Sequence, residues 1–172
     1  MLETIVGGLL SLFSGLLNMP FGKEIVVFII SLMPILELRG GLIAASLLGL
    51  APVPSYVISV IGNIIPVPFI LWFINSILDF MRNSKRFSKV AKWLDKKVQK
   101  HKKQIEMYGF WGMVLFVGIP LPGTGAWTGC LIASVLHMDR KKAFLAAMIG
   151  IFLASIIMMI LSFGILRQVV GS

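Results

Sequence analysis

The chain has 172 residues, 58% of them hydrophobic and only 13% charged, with a formal net charge of +9. Soluble domains carry about 25% charged residues, so the composition excludes a water-soluble globular domain and defines an integral membrane protein, one membrane domain over residues 1–172. A single cysteine, Cys130, rules out an internal disulfide, and with no Cys/His cluster the chain offers no metal or cofactor site.

Residues 1–20 lack the basic start of a signal peptide, and no Ala-x-Ala site follows the apolar stretch 5–17. They read as an N-terminal helix that either spans at a tilt or lies in the interface. A first repeat is expected over residues 24–78. Its apolar runs 25–33 and 41–50 have nine and ten residues, each about 15 Å as a helix, half the hydrocarbon thickness. Between them stands Met33-Pro34-Ile35-Leu36-Glu37-Leu38-Arg39-Gly40-Gly41. Half-length helices joined by a Pro/Gly/charged tip predict a re-entrant helical hairpin; the alternative is one kinked helix over 24–50. The run 55–78 is long enough, about 36 Å, to be a transmembrane helix. Pro66 and Pro68 free carbonyls in it and predict a kink.

Ten basic residues lie between Arg82 and Lys103, opposed there by Asp95 alone. Phe87, Val90, Ala91, Leu94 and Val98 recur at helical spacing among them. A basic interfacial helix over 82–104 is expected, with Lys85, Arg86, Lys89, Lys92, Lys96 and Lys97 on anionic lipid headgroups. Nucleic-acid binding is the weaker reading of the same charge. Lys and Arg near spans mark the cytoplasmic side, which puts this loop, and the turn Arg140-Lys141-Lys142, inside.

The second repeat is expected over residues 107–168. Apolar runs 110–121 and 126–136 flank Pro120-Leu121-Pro122-Gly123-Thr124-Gly125, and 143–166 spans. Basic residues at both ends of the second hairpin, Lys102-Lys103 and Arg140-Lys141-Lys142, open it to the cytoplasm, while the first hairpin opens outward. The fold class is therefore all-α and integral to the membrane, an inverted repeat of re-entrant hairpin plus transmembrane helix. A shift of 88 residues aligns Phe28 with Phe116, Pro34 with Pro122, Gly41 with Gly129, Ala45-Ser46 with Ala133-Ser134, Leu48 with Leu136, and Ile61-Gly62 with Ile149-Gly150. In such an architecture a substrate sits at the bilayer midplane, here between the two tips.

Glu37 and Arg39 are the ionisable residues expected deep in the membrane, where they mark function by default. The planar fork of Arg39 suits phosphate or carboxylate, and burial lets Glu37 exchange a proton near neutral pH; a purely structural pair is the alternative. Pro34, Gly40 and Gly41 complete the first tip. At the second tip, Gly123 and Gly125 let backbone approach a ligand, Thr124 caps or binds, and Pro120, Pro122 and Trp127 frame the loop. No Gly-Lys-Ser/Thr ending follows, which excludes a nucleotide loop. Asn63 faces either a cavity or a neighbouring helix. His137, beside Asp139, is expected at headgroup level. With no Ser-His-Asp set and no pair of catalytic carboxylates, the chain does not read as an enzyme.

Pro34-x-x-Glu37-x-Arg39-Gly40-Gly41, then Gly62-Asn63, then Pro120-Leu121-Pro122-Gly123-Thr124-Gly125-Ala126-Trp127 resembles the prokaryotic small multi-drug export proteins, over roughly residues 20–166. That family is similar to the DedA/VTT membrane proteins. The resemblance implies a multi-pass protein of the prokaryotic cytoplasmic membrane with paired re-entrant hairpins. The DedA pattern has acidic residues in the first hairpin, which Glu37 matches, and arginines in the second; residues 107–137 contain none. The leading expectation is a small transporter, proton-coupled through Glu37. The alternatives are a flippase or scramblase for an anionic lipid phosphate such as a polyprenyl phosphate, and a non-transporting membrane scaffold. The expected partners are membrane lipids, a small-molecule or lipid-phosphate substrate, and further copies of the chain, as a dimer or more; nucleic acid is not among them.

Overall fold

A computed structural model of the chain describes residues 14–17, 19–73, 96, 109–121 and 123–166. All the regular elements among them are helices. A short α1 (Ser14–Leu17) precedes α2 (Gly22–Leu32). Gly22 is fixed by proximity, since a Cβ there would overlap the Leu16 carbonyl. α2 stops because Pro34 disfavours the helical conformation at Met33, which is extended (φ −70°, ψ 139°).

The chain turns through residues 33–36 into α3 (Glu37–Leu47). Glu37, Arg39, Gly40 and Gly41 thus belong to the first turns of a helix rather than to the connecting tip. The reason lies in packing. Ser31 Oγ occupies the place where a Gly41 Cβ would stand, and a Gly40 Cβ would meet Leu36 and Ile30. The glycines let α3 return closely along α2, and Lys23 Nζ closes the far end of the pair by donating to the Leu48 carbonyl at 2.9 Å. α3 ends with Gly49 left-handed (φ 70°) and Leu50 N donating to Ala45 O at 3.0 Å, which satisfies carbonyls at the helix end.

α4 (Pro52–Phe73) starts on a proline, tolerated where no N–H is needed. It is interrupted at Ile65. Pro66 and Pro68 cannot donate to the carbonyls of Gly62 and Ile64, which is the break expected from the Pro-Val-Pro sequence. α5 (Gly109–Gly118) and α6 (Ala126–Val135) follow. α6 ends as α3 does: His137 is left-handed (φ 54°), and Met138 N donates to Ala133 O at 2.9 Å. α7 (Arg140–Met159) starts on Asp139, whose Oδ1 accepts from Lys142 N at 3.0 Å. It widens into a π-helical turn over Ile160–Leu166.

The chain forms two compact units, Met1–Asn63 with Phe152–Ser172, and Ile64–Ile151. Within the first, a Gly62 Cβ would lie 3.0 Å from the Phe28 carbonyl and 2.9 Å from Ser31 Cβ. Ser155 Oγ and the Tyr56 hydroxyl hydrogen-bond at 3.0 Å, and Ser46 Oγ donates to Ser162 O at 2.8 Å. Val26, Ile30, Leu36 and Ala44 form the apolar centre, with Leu16, Leu17 and Ile43 against it. Within the second unit, a Gly129 Cβ would lie 2.7 Å from Val117 Cγ2, and a Gly150 Cβ 2.6 Å from Val117 Cβ and 3.0 Å from the Val114 carbonyl.

The two long helices leave many large apolar residues exposed while small and polar ones are buried. Along α4 the residues Val53, Val57, Ile61, Ile65 and Phe69 are exposed, while Ser55, Ser59, Gly62 and Asn63 are buried. Along α7, Leu145, Phe152, Ile156 and Ile160 are exposed over buried Ala147, Ala154 and Ser155. Contiguous apolar surface of this extent needs an apolar solvent, and small or polar residues at helix contacts are the membrane pattern. α4 and Arg140–Gly164 are long and apolar enough to cross a bilayer. The basic segment 82–104, including Lys85, Arg86, Lys89, Lys92 and Lys97, lies outside the described residues; Lys96 alone is described there, as exposed. The same holds for Pro122, for residues 1–13 and 18, and for the ends of the expected repeats at 74–78, 107–108 and 167–168.

Two outcomes follow for stability. Gly150→Leu should lower the thermal midpoint in detergent by the equivalent of about 1–3 kcal/mol, the range for overpacking. Gly15→Leu, with nothing within 4 Å, should leave it unchanged; equal midpoints for the two would contradict this packing. His137→Gly should stabilise by about 1 kcal/mol, because glycine relieves the left-handed backbone, and an unchanged or lower midpoint would count against that geometry.

Candidate functional site

The charged pair of the first unit stands at the start of α3. Glu37 N donates to Met33 O at 3.0 Å and Gly40 N to Leu36 O at 2.9 Å, so the turn 33–36 is held by backbone bonds on both sides. Pro34 and Ile35 project from it, exposed. Glu37 itself is left-handed (φ 52°), which costs a non-glycine residue of order 1–3 kcal/mol. Its side chain is 4% exposed. A buried carboxylate in an apolar setting needs compensation, and the charges of Glu37 and the partly buried Arg39 act on one another. A carboxylate held buried on strained backbone is where function is sought first.

Beside this pair runs a seam of small polar residues whose serines are absent from the sequence expectations. Gly41, one turn beyond Glu37, receives Ser31 Oγ in its missing side-chain position, and Ser59 Oγ lies 3.0 Å from that same point. Ser31 donates to the Val27 carbonyl at 2.8 Å. Among the described residues, Ser59 Oγ and Asn63 Oδ1 are buried without a hydrogen-bond partner, as is Ser162 Oγ. Unpaired buried polar atoms cost roughly 1–3 kcal/mol each and are retained where a ligand, water or proton is to be met. Asn63 was legible as a candidate. Ser59 was not, although Ser55, Ser59 and Asn63 recur every fourth residue on one helical face, a signal hidden by the apolar residues between them.

The tip of the second unit is built differently. Thr124 Oγ1 donates back to the Ile119 and Leu121 carbonyls at 3.0 and 2.9 Å. The hydroxyl therefore closes the loop, and Gly125 precedes α6 with no side-chain cap. Gly123 (φ 86°) and Gly125 (φ 142°, ψ −178°) take conformations open essentially to glycine. Pro120 is half-buried, Leu121 exposed, and Trp127 half-buried in the first turn of α6. No charged residue lies between Gly109 and His137, so the ionisable chemistry of the tips belongs to the first unit. Among the described residues no group of three His, Cys, Asp or Glu could hold a metal.

Apolar helices of spanning length with large apolar residues on their exposed faces define an integral helical membrane protein. The chain belongs to the family described as "putative small multi-drug export protein", which it matches over residues 37–157. The match begins at Glu37 and so takes in the charged pair, the α4 seam and the second tip. No curated protein and no solved structure matches the chain.

At the second tip, Gly125→Ala should destabilise the protein by about 1–3 kcal/mol, and Thr124→Val by about 1 kcal/mol for the lost hydroxyl contacts. Both are measurable as thermal midpoints in detergent. A neutral Gly125→Ala would contradict the backbone described here.

Proposed function

We propose that this protein exports a small molecule across the prokaryotic cytoplasmic membrane, with Glu37 as the group that takes up and releases the coupling proton and Arg39 as its charge partner at the substrate. The observation that carries the reading is the buried Glu37 carboxylate on left-handed backbone at the start of α3. A mere structural pair needs no strained residue. Ser59 Oγ and Asn63 Oδ1 supply open hydrogen-bonding atoms in the same unit. The family description is consistent with an exporter and with no enzyme class.

In this reading the helix pairs α2–α3 and α5–α6 are re-entrant hairpins, and the chain is an inverted repeat. Several correspondences support the repeat. The helix-end bonds Leu50 N to Ala45 O and Met138 N to Ala133 O are 88 residues apart, as are Ser55 N to Ala51 O and Ala143 N to Asp139 O. The unit boundaries after Asn63 and Ile151 share that interval. Before the tips the register differs: Gly62 approaches Phe28 and Ser31 where Gly150 approaches Val114 and Val117, an interval of 86. A longer connection between α5 and α6 would absorb the difference, which argues against Phe28 and Phe116 as equivalents in the repeat. Lys and Arg at the ends of the second hairpin, and their scarcity at the ends of the first, support opposite orientations.

The test is flux of a lipophilic cationic dye in proteoliposomes under an imposed pH gradient. Glu37→Gln should abolish the gradient-driven component, a loss on the order of 10²-fold, and Arg39→Ala should weaken flux while charge reversal in 82–104 leaves it largely intact. Wild-type flux in Glu37→Gln would sink proton coupling. The opposite order of severity, with the basic segment critical and the pair dispensable, would mean a scaffold, and lipid-phosphate movement without dye flux would mean a flippase.

A further inference from the structure

The second unit holds a site that the transport reading does not use. A groove of about 500 Å³ is lined by Pro68, Leu71, Trp72, Phe144 and Leu145, with Arg140 and Lys141 at its edge. A smaller cavity of about 180 Å³ is lined by Leu71, Ser134, His137, Met138 and Arg140. The two share Leu71 and Arg140, so the apolar trough and the small polar pocket are neighbours in this unit. Trp72 and Phe144 are exposed beside the trough.

We propose that these neighbouring cavities bind one anionic phospholipid, with an acyl chain along Trp72, Phe144 and Leu145 and the phosphate held by Arg140 and Lys141 beside His137. The chemistry fits a two-ended ligand. The trough offers apolar and aromatic surface. At the junction, Arg140 and Lys141 open α7, whose N-terminus adds positive potential. The nearby carboxylate, Asp139, is engaged in capping the same helix through Lys142 N. His137 Nδ1 lies 3.0 Å from the Val135 carbonyl. A carbonyl can only accept, so Nδ1 carries the hydrogen, and Nε2 of the neutral ring is an acceptor suited to a headgroup hydroxyl and not to the phosphate. A lipophilic cation would meet Arg140 and Lys141 with like charge. So would the chain's own segment 82–103, ten basic residues against one acid, which argues against that segment as the occupant.

The experiment is native mass spectrometry of the full-length protein in mild detergent, titrated with phosphatidylglycerol and, separately, phosphatidylcholine. Wild type should retain one phosphatidylglycerol in preference to phosphatidylcholine. Arg140→Gln and Lys141→Gln should each weaken that preference about fivefold, the scale of one basic residue at an anionic surface. Lys142→Gln, the same charge change outside both cavities, should preserve it. Trp72→Ala should weaken both lipids alike, since it removes trough surface and no charge. Equal losses in Lys142→Gln and Arg140→Gln would replace the site by diffuse attraction and overturn the proposal. An absent preference in wild type, as expected of a groove filled by segment 82–104 or by a second copy, would also overturn it. Free inorganic phosphate competing as well as the lipid would remove the acyl-chain half of the proposal and overturn it as a lipid site.

Discussion

In lipid, helices gain nothing by hiding apolar side chains from one another, so they are held by close contact and by interior hydrogen bonds. In this protein the contact is made at glycine. Gly41 admits Ser31 Oγ into its missing side-chain position, Gly62 rests on the Phe28 carbonyl, Gly129 on Val117, and Gly150 on Val117 and the Val114 carbonyl. Each brings a helix of a pair, or the long helix beside it, within backbone distance. Many bulky residues are left on the outside, and serine, alanine and asparagine share the interior with the apolar core.

That interior sets the chemistry of the first unit. Because the helices approach so closely, Ser31, Ser59 and Gly41 meet at one point, and a carboxylate one turn from Gly41 is drawn out of solvent. Glu37 bears two burdens there, a buried charge and a left-handed backbone. Arg39 offsets part of the first. The second has no counterpart among the described residues of the other tip, where glycine takes the unusual conformations and Thr124 ties the loop. One tip is thus tensioned and ionisable, the other relaxed and neutral.

Much of the fold was legible because helices in lipid declare themselves by run length. The helices α5 and α6 lie close to the expected apolar runs, with Pro120, Gly123 and Gly125 between them, because glycine and proline there act through local backbone preference. The first tip was misplaced for the same reason in reverse. Gly40 and Gly41 read as loop formers, yet they serve a helix–helix contact, and contact distance is not a local property. Glu37 was singled out by its charge in an apolar stretch. Ser59 and Ser31 were passed over because a lone hydroxyl in an apolar run carries no such signal until packing places it.

Composition alone determined that the solvent is lipid, and the spacing of apolar runs, proline and glycine determined the helices and the kind of residue at each tip. Those follow from transfer energies and backbone preferences, which each residue carries with it. The tertiary structure decided which glycines are contacts, that Glu37 is left-handed and buried, and that Arg140 lines both a polar pocket and an apolar trough. Those depend on distances between segments far apart in the chain, and no local preference encodes them.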